Sequence, residues 1–514
     1  MSGIIINEDC NHFIHSRYAA GVKVTESVLR AFISQYKNTQ VTDFVINTNG
    51  MISFSPSRVR ETALDKYMRY KAGGKVDESS AYCEILYDVC VNQKLDMYAV
   101  WFDQCRKDGL TSWLSVRMND CHCNNMDDHL LLSEFFLNNK QLRRVTHHHY
   151  DNYFNNCLDY GQEQVRQHYM DYIEECLENY DFDGLELDWM REIFCFKPGQ
   201  EHNGIAVIND FMRTVKQKVD AAARKRGHNI RLSVRLPHSP VTALKLGFDV
   251  MTWIKERLVD LIVPAPRWES IDNDMSIDFW KKLLEGTGIE LAAGLELGMR
   301  PYPAAPMKFS TMEIVAGSAL MYLSAGADKI YLFNYMDTVG PEACGKCAPD
   351  DDMTPNSRKN YPVLLNNFGC METLLPLPRR HAVTYHDIEA PGIANSAILP
   401  INVDGKSSRQ TDLDGGHIPV RIDTGIIPAD KNITLIIAAR SDDMLSAADF
   451  SVFVNSSPVK YIGPVTVPAA YSDAPHYAFS VQNHKDFPST SIAEFAARGR
   501  PYCIEHVELR VDFP

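Results

Sequence analysis

At 514 residues the chain has room for roughly two to four domains, or for one large α/β barrel with an accessory module. Hydrophobic residues at 45% exclude a disordered or fibrous chain, and 52 Lys and Arg against 66 Asp and Glu leave a net charge of −14, which argues against nucleic-acid binding. No apolar run reaches the ~20 residues that span a bilayer, the start MSGIIINEDCNHF has no basic export signal, and scattered cysteines read as reduced thiols, so a cytoplasmic protein away from membranes is expected.

Short β-type runs alternate with stretches of helical period over the first ~370 residues, the pattern of repeated βα units. The predicted strands are GIIIN near residue 3, DFVIN near 43, WLSVRM near 113 and DGLELDW near 183. RLSVRL near 231, DLIVPA near 260, IELAAGLEL near 289 and DKIYLFNY near 328 complete the set. Eight parallel strands with intervening helices imply a closed (β/α)8 TIM barrel over residues 1–375. The stretch 50–110 has to fit a loop and two helical segments between strands two and three. The 119–160 loop after strand three is long enough to be a lid or binding loop at the barrel's C-terminal face. From 376 to 514 helical period disappears, and runs such as IPVRI, NITLIIAA, DFSVFV and HVELRVDF predict an antiparallel β-sandwich accessory domain.

Alternation tells which side chains point into the barrel. Leu185 and Leu187 face outward, so Glu186 and Asp188 face the axis, with Asp188 nearer the mouth. On strand seven Ala292, Gly294 and Glu296 face in, and the two small residues are expected to leave room around the Glu296 carboxylate. Carboxylates on strands four and seven that flank a bond are what glycoside hydrolysis needs. Asp188 is therefore the candidate nucleophile or base, Glu296 the candidate proton donor, and Glu186 the group that tunes Asp188. Glu192 and Glu269 stand behind Glu296 as alternative donors.

LSVRMND and LSVRLPH place Arg117 and Arg235 inside, on either side of strand four. They either neutralise the acids or recognise an anionic sugar. Asn119, Asp120 and His238 at the mouth are candidate contacts for sugar hydroxyls. Trp189, Trp268, Tyr302 and Tyr335, each just past a strand end, are candidate platforms for pyranose faces. In the sandwich no Trp is present, so independent glycan binding is disfavoured, with Tyr471 and Tyr477 as substitutes. Packing against the barrel or a subunit contact in a homo-oligomer is the expected role.

The run LDYGQEQVRQHYMDYIEECLENYDFDGLELDWMRE, residues 158–192, resembles the glycosyl-hydrolase-like family 10 barrels, which carry YDxDGIxxD on the fourth strand. The resemblance implies a glycosidase-type barrel with Asp188 at the family's acidic position. DGLELDWM is also similar to the DGxDxDWE motif of family 18 chitinases, but Met190 stands where their proton donor would be. The donor has to come from another strand.

Neither a cofactor nor a metal is expected. Cys344 and Cys347 form an isolated CxxC without a second pair. His147, His148 and His149 diverge as neighbours and read as a lid cluster. Walker, dinucleotide, nucleophile-elbow and HExxH motifs are absent from the sequence. The reading is a glycoside hydrolase acting on a carbohydrate. The alternatives are a metal-dependent sugar isomerase or epimerase using Glu186, Asp188, His238 and Glu296, and a non-catalytic carbohydrate-binding barrel.

Overall fold

The computed structural model describes residues 2–126, 128–144, 152–267, 270–336, 353–394, 396–404, 417–483 and 486–512. Eight strands close into one parallel barrel. They are β1 (Ile4–Glu8), β2 (Val41–Asn47), β3 (Thr111–Arg117), β4 (Gly184–Asp188), β5 (Arg231–Leu236), β6 (Leu261–Pro264), β7 (Glu290–Glu296) and β8 (Lys329–Phe333). Each pairs with its neighbours in sequence, and β8 returns to β1 with Ile330 opposite Ile4. These are the eight predicted runs. Their aliphatic content suits strands covered on both faces.

The alternation holds through the barrel. Leu185, Leu187, Leu291, Ala293 and Leu295 join the large core shared with the helices, while Ile5, Val45, Trp113, Leu261, Val263, Ala292, Tyr331 and Phe333 pack together inside. At the floor, Trp113 Nε1 donates to Asp43 Oδ1 at 2.9 Å and Lys329 Nζ to Asp43 Oδ2 at 2.6 Å. The indole lies so close to β4 that a Cβ on Gly184 would stand 2.1 Å from Trp113 Cε3, so only glycine fits there.

Between β2 and β3 the chain forms the helices Ala63–Ala72 and Met97–Asp108, with a short π-helical stretch at Tyr87–Asn92. The 119–160 loop carries only short helices, Glu134–Asn138, the 3-10 turn Lys140–Leu142 and Asn152–Asn155, among its described residues. Among the described residues no helix is long and apolar enough to cross a membrane.

Past two short helices, Tyr361–Asn367 and Met371–Leu374, the described regular structure is antiparallel. Its strands are β9 (Arg379–Ala382), β10 (Ile401–Val403), β11 (Ile418–Asp423), β12 (Asn432–Arg440) and β13 (Phe450–Val454). β14 (Ser457–Pro458), β15 (Lys460–Val465), β16 (His476–Val481), β17 (Thr490–Ala497) and β18 (Tyr502–Asp512) follow. One sheet runs β9-β18-β12-β16-β15 with β10 also on β18, and the other runs β11-β17-β13-β14. Ile433, Leu435 and Ile437 of β12 meet Val420, Ile422 and Phe495 of the second sheet in one apolar core, as a sandwich requires.

This module docks on the barrel through the helix Met312–Ser324, which is buried from Ile314 to Leu323. A Cβ on Gly317 would stand 2.3 Å from the Arg380 carbonyl oxygen, so β9 lies directly on the helix. Tyr471 is buried too and hydrogen-bonds the Phe309 carbonyl and the Thr311 amide at 3.1 and 3.2 Å. The docking face is thus β9 and the Tyr471 loop, whereas most of the apolar residues of NITLIIAA serve the sandwich's own core. Tyr471 and Tyr477 are both sealed from solvent and offer no glycan platform.

Candidate active site

The strand register places Arg117, Asp188 and Arg235 in one row across β3, β4 and β5, all pointing into the upper barrel. Arg235 Nη1 donates to Asp188 Oδ2 at 3.0 Å, and the Met190 amide donates to Asp188 Oδ1 at 3.1 Å. The Arg235 guanidinium also lies 3.8 Å from the centre of the Phe333 ring and donates to the Arg267 carbonyl at 3.2 Å. Arg117 instead bonds Asp9 at 2.5 Å and Asp120 at 3.4 Å, and acts on Asp188 through its field. Of the two inward arginines, Arg235 is the one that neutralises the strand-four acid by contact.

Glu186 sits one layer below. It accepts from the Tyr331 hydroxyl at 2.9 Å, and that hydroxyl accepts from Asn7 Nδ2 at 2.8 Å. Burial, and then the charge of Asp188, push the Glu186 carboxyl up to about 7. Burial raises Asp188 as well, opposed by Arg235, Arg117 and Arg191. With a guanidinium in contact, Asp188 is the member of the pair that ionises first and Glu186 the one that keeps a proton.

Glu296 ends β7 and is buried. Its Oε2 accepts the Leu297 amide at 2.8 Å and its Oε1 accepts Asn334 Nδ2 at 2.8 Å. Tyr335 is wholly buried and donates its hydroxyl to the Glu296 backbone carbonyl at 2.8 Å, so it braces the carboxylate's backbone and presents no open ring. One layer below, β7 packs closely on the end of β6: a Cβ on Gly294 would meet Ala265 Cβ at 2.5 Å. Glu192 is bound by Arg267 at 2.6 and 3.2 Å and by the Tyr153 hydroxyl at 3.0 Å. Burial would raise its carboxyl, but Arg267 together with Arg191 and His122 outweighs burial and holds it low, which is unsuited to a proton donor.

A cavity of about 230 Å³ opens at the C-terminal ends of the strands. Asp9, His12, Arg117, Asp120, His122 and Arg191 line its polar side, Asn334 its edge toward Glu296, and Phe54, Leu131 and Met336 its apolar side. Burial alone would raise Asp9 and Asp120. For Asp9 the charge and hydrogen bond of Arg117, the Asn11 amide and the Arg191 charge together outweigh it; for Asp120 the His122 imidazole at 2.8 Å, with Arg117 and Arg191, does so. Both acids are held far below the usual carboxylate range and stay ionised. Asp9, His12, His122, Arg191 and Asn334 line this cavity, and no sequence motif marks them. For Asp9, Arg191 and Asn334 the available signal is position one to three residues past a strand end, which at a barrel mouth points to function for polar side chains as much as for aromatic ones.

The remaining candidates fall elsewhere. Trp189 is packed between Tyr160, Phe211 and Phe248, with ring centres 5.2 to 6.0 Å apart, and is a core residue with no open face. Asn119 is consumed in closing the loop on itself, accepting the Leu158 amide at 2.8 Å and donating to the Leu158 carbonyl at 3.0 Å. Tyr302 packs against the sandwich core. His238 lies past β5 beside His386 and Glu389 of the C-terminal region. It is therefore not grouped with Glu186, Asp188 and Glu296; among the described residues, the ligand atoms that converge are those of His238, His386 and Glu389. Trp268, Glu269, His147, His148, His149, Cys344 and Cys347 lie outside the described residues.

Strand pairing and buried acids together define a (β/α)8 barrel with a polar, carboxylate-lined mouth. No family model matches the chain, and no curated protein does. Among solved structures it is similar to a family 18 chitinase from Chromobacterium violaceum, with 9% identity, 98% of this chain and 90% of that one covered, and a TM-score of 0.35. It is similar also to the PgaB glycoside hydrolase domain from Bordetella bronchiseptica, with 10% identity, 65% and 94% coverage and a TM-score of 0.38. A cycloisomaltooligosaccharide glucanotransferase from Paenibacillus sp. aligns at 9% identity with a TM-score of 0.34, and the chain spans 56% of its length. At this identity and these TM-scores the likeness carries no argument about mechanism, and the barrel rests on its own strand pairing.

Proposed function

We propose that the chain is a glycoside hydrolase whose barrel mouth cleaves a glycosidic bond with Asp188 as nucleophile or base and Glu296 as proton donor. The observation that carries this is a pair of held, buried carboxylates on β4 and β7 whose neighbours, Arg117 in register with Asp188 and Asn334 bonded to Glu296, line a small polar cavity. Asp188 is fixed between Arg235 and the Met190 amide, and Glu296 is fixed by Asn334, which itself lines the cavity. Glu186 below Asp188 keeps a proton near neutral pH, so the carboxylate that has to attack or deprotonate is the one in contact with a cation.

The cavity's charges nearly cancel, Asp9 and Asp120 against Arg117 and Arg191. Donors and acceptors alternating around an apolar patch suit a neutral glycosyl unit, with its hydroxyls on one side and its C–H face on Phe54. Arg117 is spent on Asp9 and Asp120, which favours this over an anionic sugar.

The test is turnover on a panel of aryl glycosides and oligosaccharides with wild type, Asp188→Asn and Glu296→Gln. The expected loss is about 10²–10⁴-fold for each variant. Full turnover in both variants overturns the assignment. One observation favours a second reading, a non-catalytic binding barrel: Asp188 is already saturated by its ion pair, and Met190 occupies the chitinase donor position. Saturable glycan binding by the wild type with no turnover across the panel selects that reading.

A further inference from the structure

We propose that His238, His386 and Glu389 form a binding site for one zinc-like divalent cation that pins the C-terminal module to the barrel. The three side chains come from two parts of the fold. His238 follows β5, and His386 and Glu389 lie in the segment leaving β9. One ligand atom from each lies within 4.8 Å of the others, and His238 Nε2 is 3.6 Å from Glu389 Oε1. Ligands on a tetrahedral ion at ~2.0–2.1 Å stand about 3.4 Å apart, so the spacing suits one ion once an imidazole turns to face it.

One further feature distinguishes this cluster from a chance meeting of polar groups. His386 Nδ1 is held by Asp272 Oδ2 at 2.7 Å, the carboxylate–imidazole contact that orients a metal-binding histidine and assigns the other nitrogen to the ion. The two imidazoles stack with centres 3.6 Å apart and planes 8° from parallel, so one ring has to turn out of the stack before both in-plane lone pairs point at one ion. His238 is 7% exposed, and the nitrogen it turns to Glu389 is Nε2. The Thr242 hydroxyl, 3.0 Å from His238 Nε2 and 3.4 Å from Glu389 Oε2, closes one side of the cluster. Two imidazoles and a carboxylate are the donor set for zinc, and three protein ligands leave a fourth position for water.

The consequence reaches the barrel mouth. Asp387, next to His386, accepts the Arg267 amide at 2.9 and 3.0 Å, and the Arg267 side chain holds Glu192. An ion at the cluster would fix the peptide on which the Arg267 loop rests. It is independent of which bond the barrel cleaves.

Tag-free protein purified without chelator is analysed for metals by mass spectrometry. The expected result is about one equivalent of zinc per chain, lost in His386→Ala and Glu389→Gln. Chelator-treated wild type titrated with zinc chloride is expected to rise in Tm by about 2–5 °C, and the variants not at all. Glu389→Gln is nearly isosteric, so it and the wild-type titration decide the matter if His386→Ala does not fold. Substoichiometric metal together with no zinc-dependent Tm rise in the wild type overturns the proposal, as does undiminished zinc in Glu389→Gln.

Discussion

Asp188 and Arg235 stand opposite each other in register on neighbouring barrel strands, 3.0 Å apart, and neither side chain reaches solvent beyond 2%. A buried pair of this kind is costly to assemble from water, yet more costly to break by removing one partner, because the survivor is left charged in a poor dielectric. Arg235→Met is therefore expected to destabilise the fold by about 3–5 kcal/mol. In an Asp188→Asn background the same substitution should cost much less. Urea unfolding of the two single variants and the double variant gives the coupling; equal costs in both backgrounds would show that the pair carries no special energy.

Glu186 has a folded-state pKa raised to about 7 from 4.5. Above 4.5 the unfolded chain releases this proton while the native chain retains it, so stability falls between about pH 4.5 and 7 and then levels off. The contribution is about 3 kcal/mol. Glu186→Gln keeps an acceptor for the Tyr331 hydroxyl and cannot ionise. Unfolding free energy measured from pH 5 to 8 should decline less in Glu186→Gln than in wild type, and the variant should be the more stable protein at pH 8. Parallel pH profiles would contradict this.

Gly184 leaves no room for a methyl group beside Trp113, with Cε3 at 2.1 Å from a built Cβ. The indole cannot simply move, because its Nε1 is bonded to Asp43 in the barrel floor. Gly184→Ala is expected to cost about 3 kcal/mol or more, and Trp113→Leu in the same chain to recover part of it. Thermal denaturation checks both, and an unchanged Tm for Gly184→Ala is the adverse result.

Deleting residues 376–514 strips β9 from the helix Met312–Ser324, whose middle is buried on every side and mostly apolar. The truncated barrel should aggregate on expression through that face. Recovery of a soluble, monodisperse 1–375 fragment by size-exclusion chromatography would mean that the helix does not need its cover.

The eight strands, the sandwich after residue 376, and the inward orientation of Glu186, Asp188, Arg235 and Glu296 are all legible in the amino-acid order, because side-chain alternation along a strand is a local property with a period of two. That rule lapses at the last strand residue. Trp189 and Tyr335 lie one and two residues past their strands, and the structure turns both into the core. Asn119 likewise looks like a mouth residue until the loop folds back and takes up both ends of its amide.

Sequence alone thus determined which side chains enter the barrel and at which end. Only tertiary structure decided their partners: that Arg235 takes Asp188 while Arg117 takes Asp9 and Asp120, that Asn334 reaches Glu296, and that His238 joins His386 and Glu389 from the other module. Asp9, Asp120, Arg191 and Asn334 follow four different strands and are dispersed over more than three hundred residues, so only barrel closure, which sets β8 against β1, gathers them around one cavity. Orientation is fixed by bonds between adjacent residues, whereas partnership depends on where distant backbone segments come to rest.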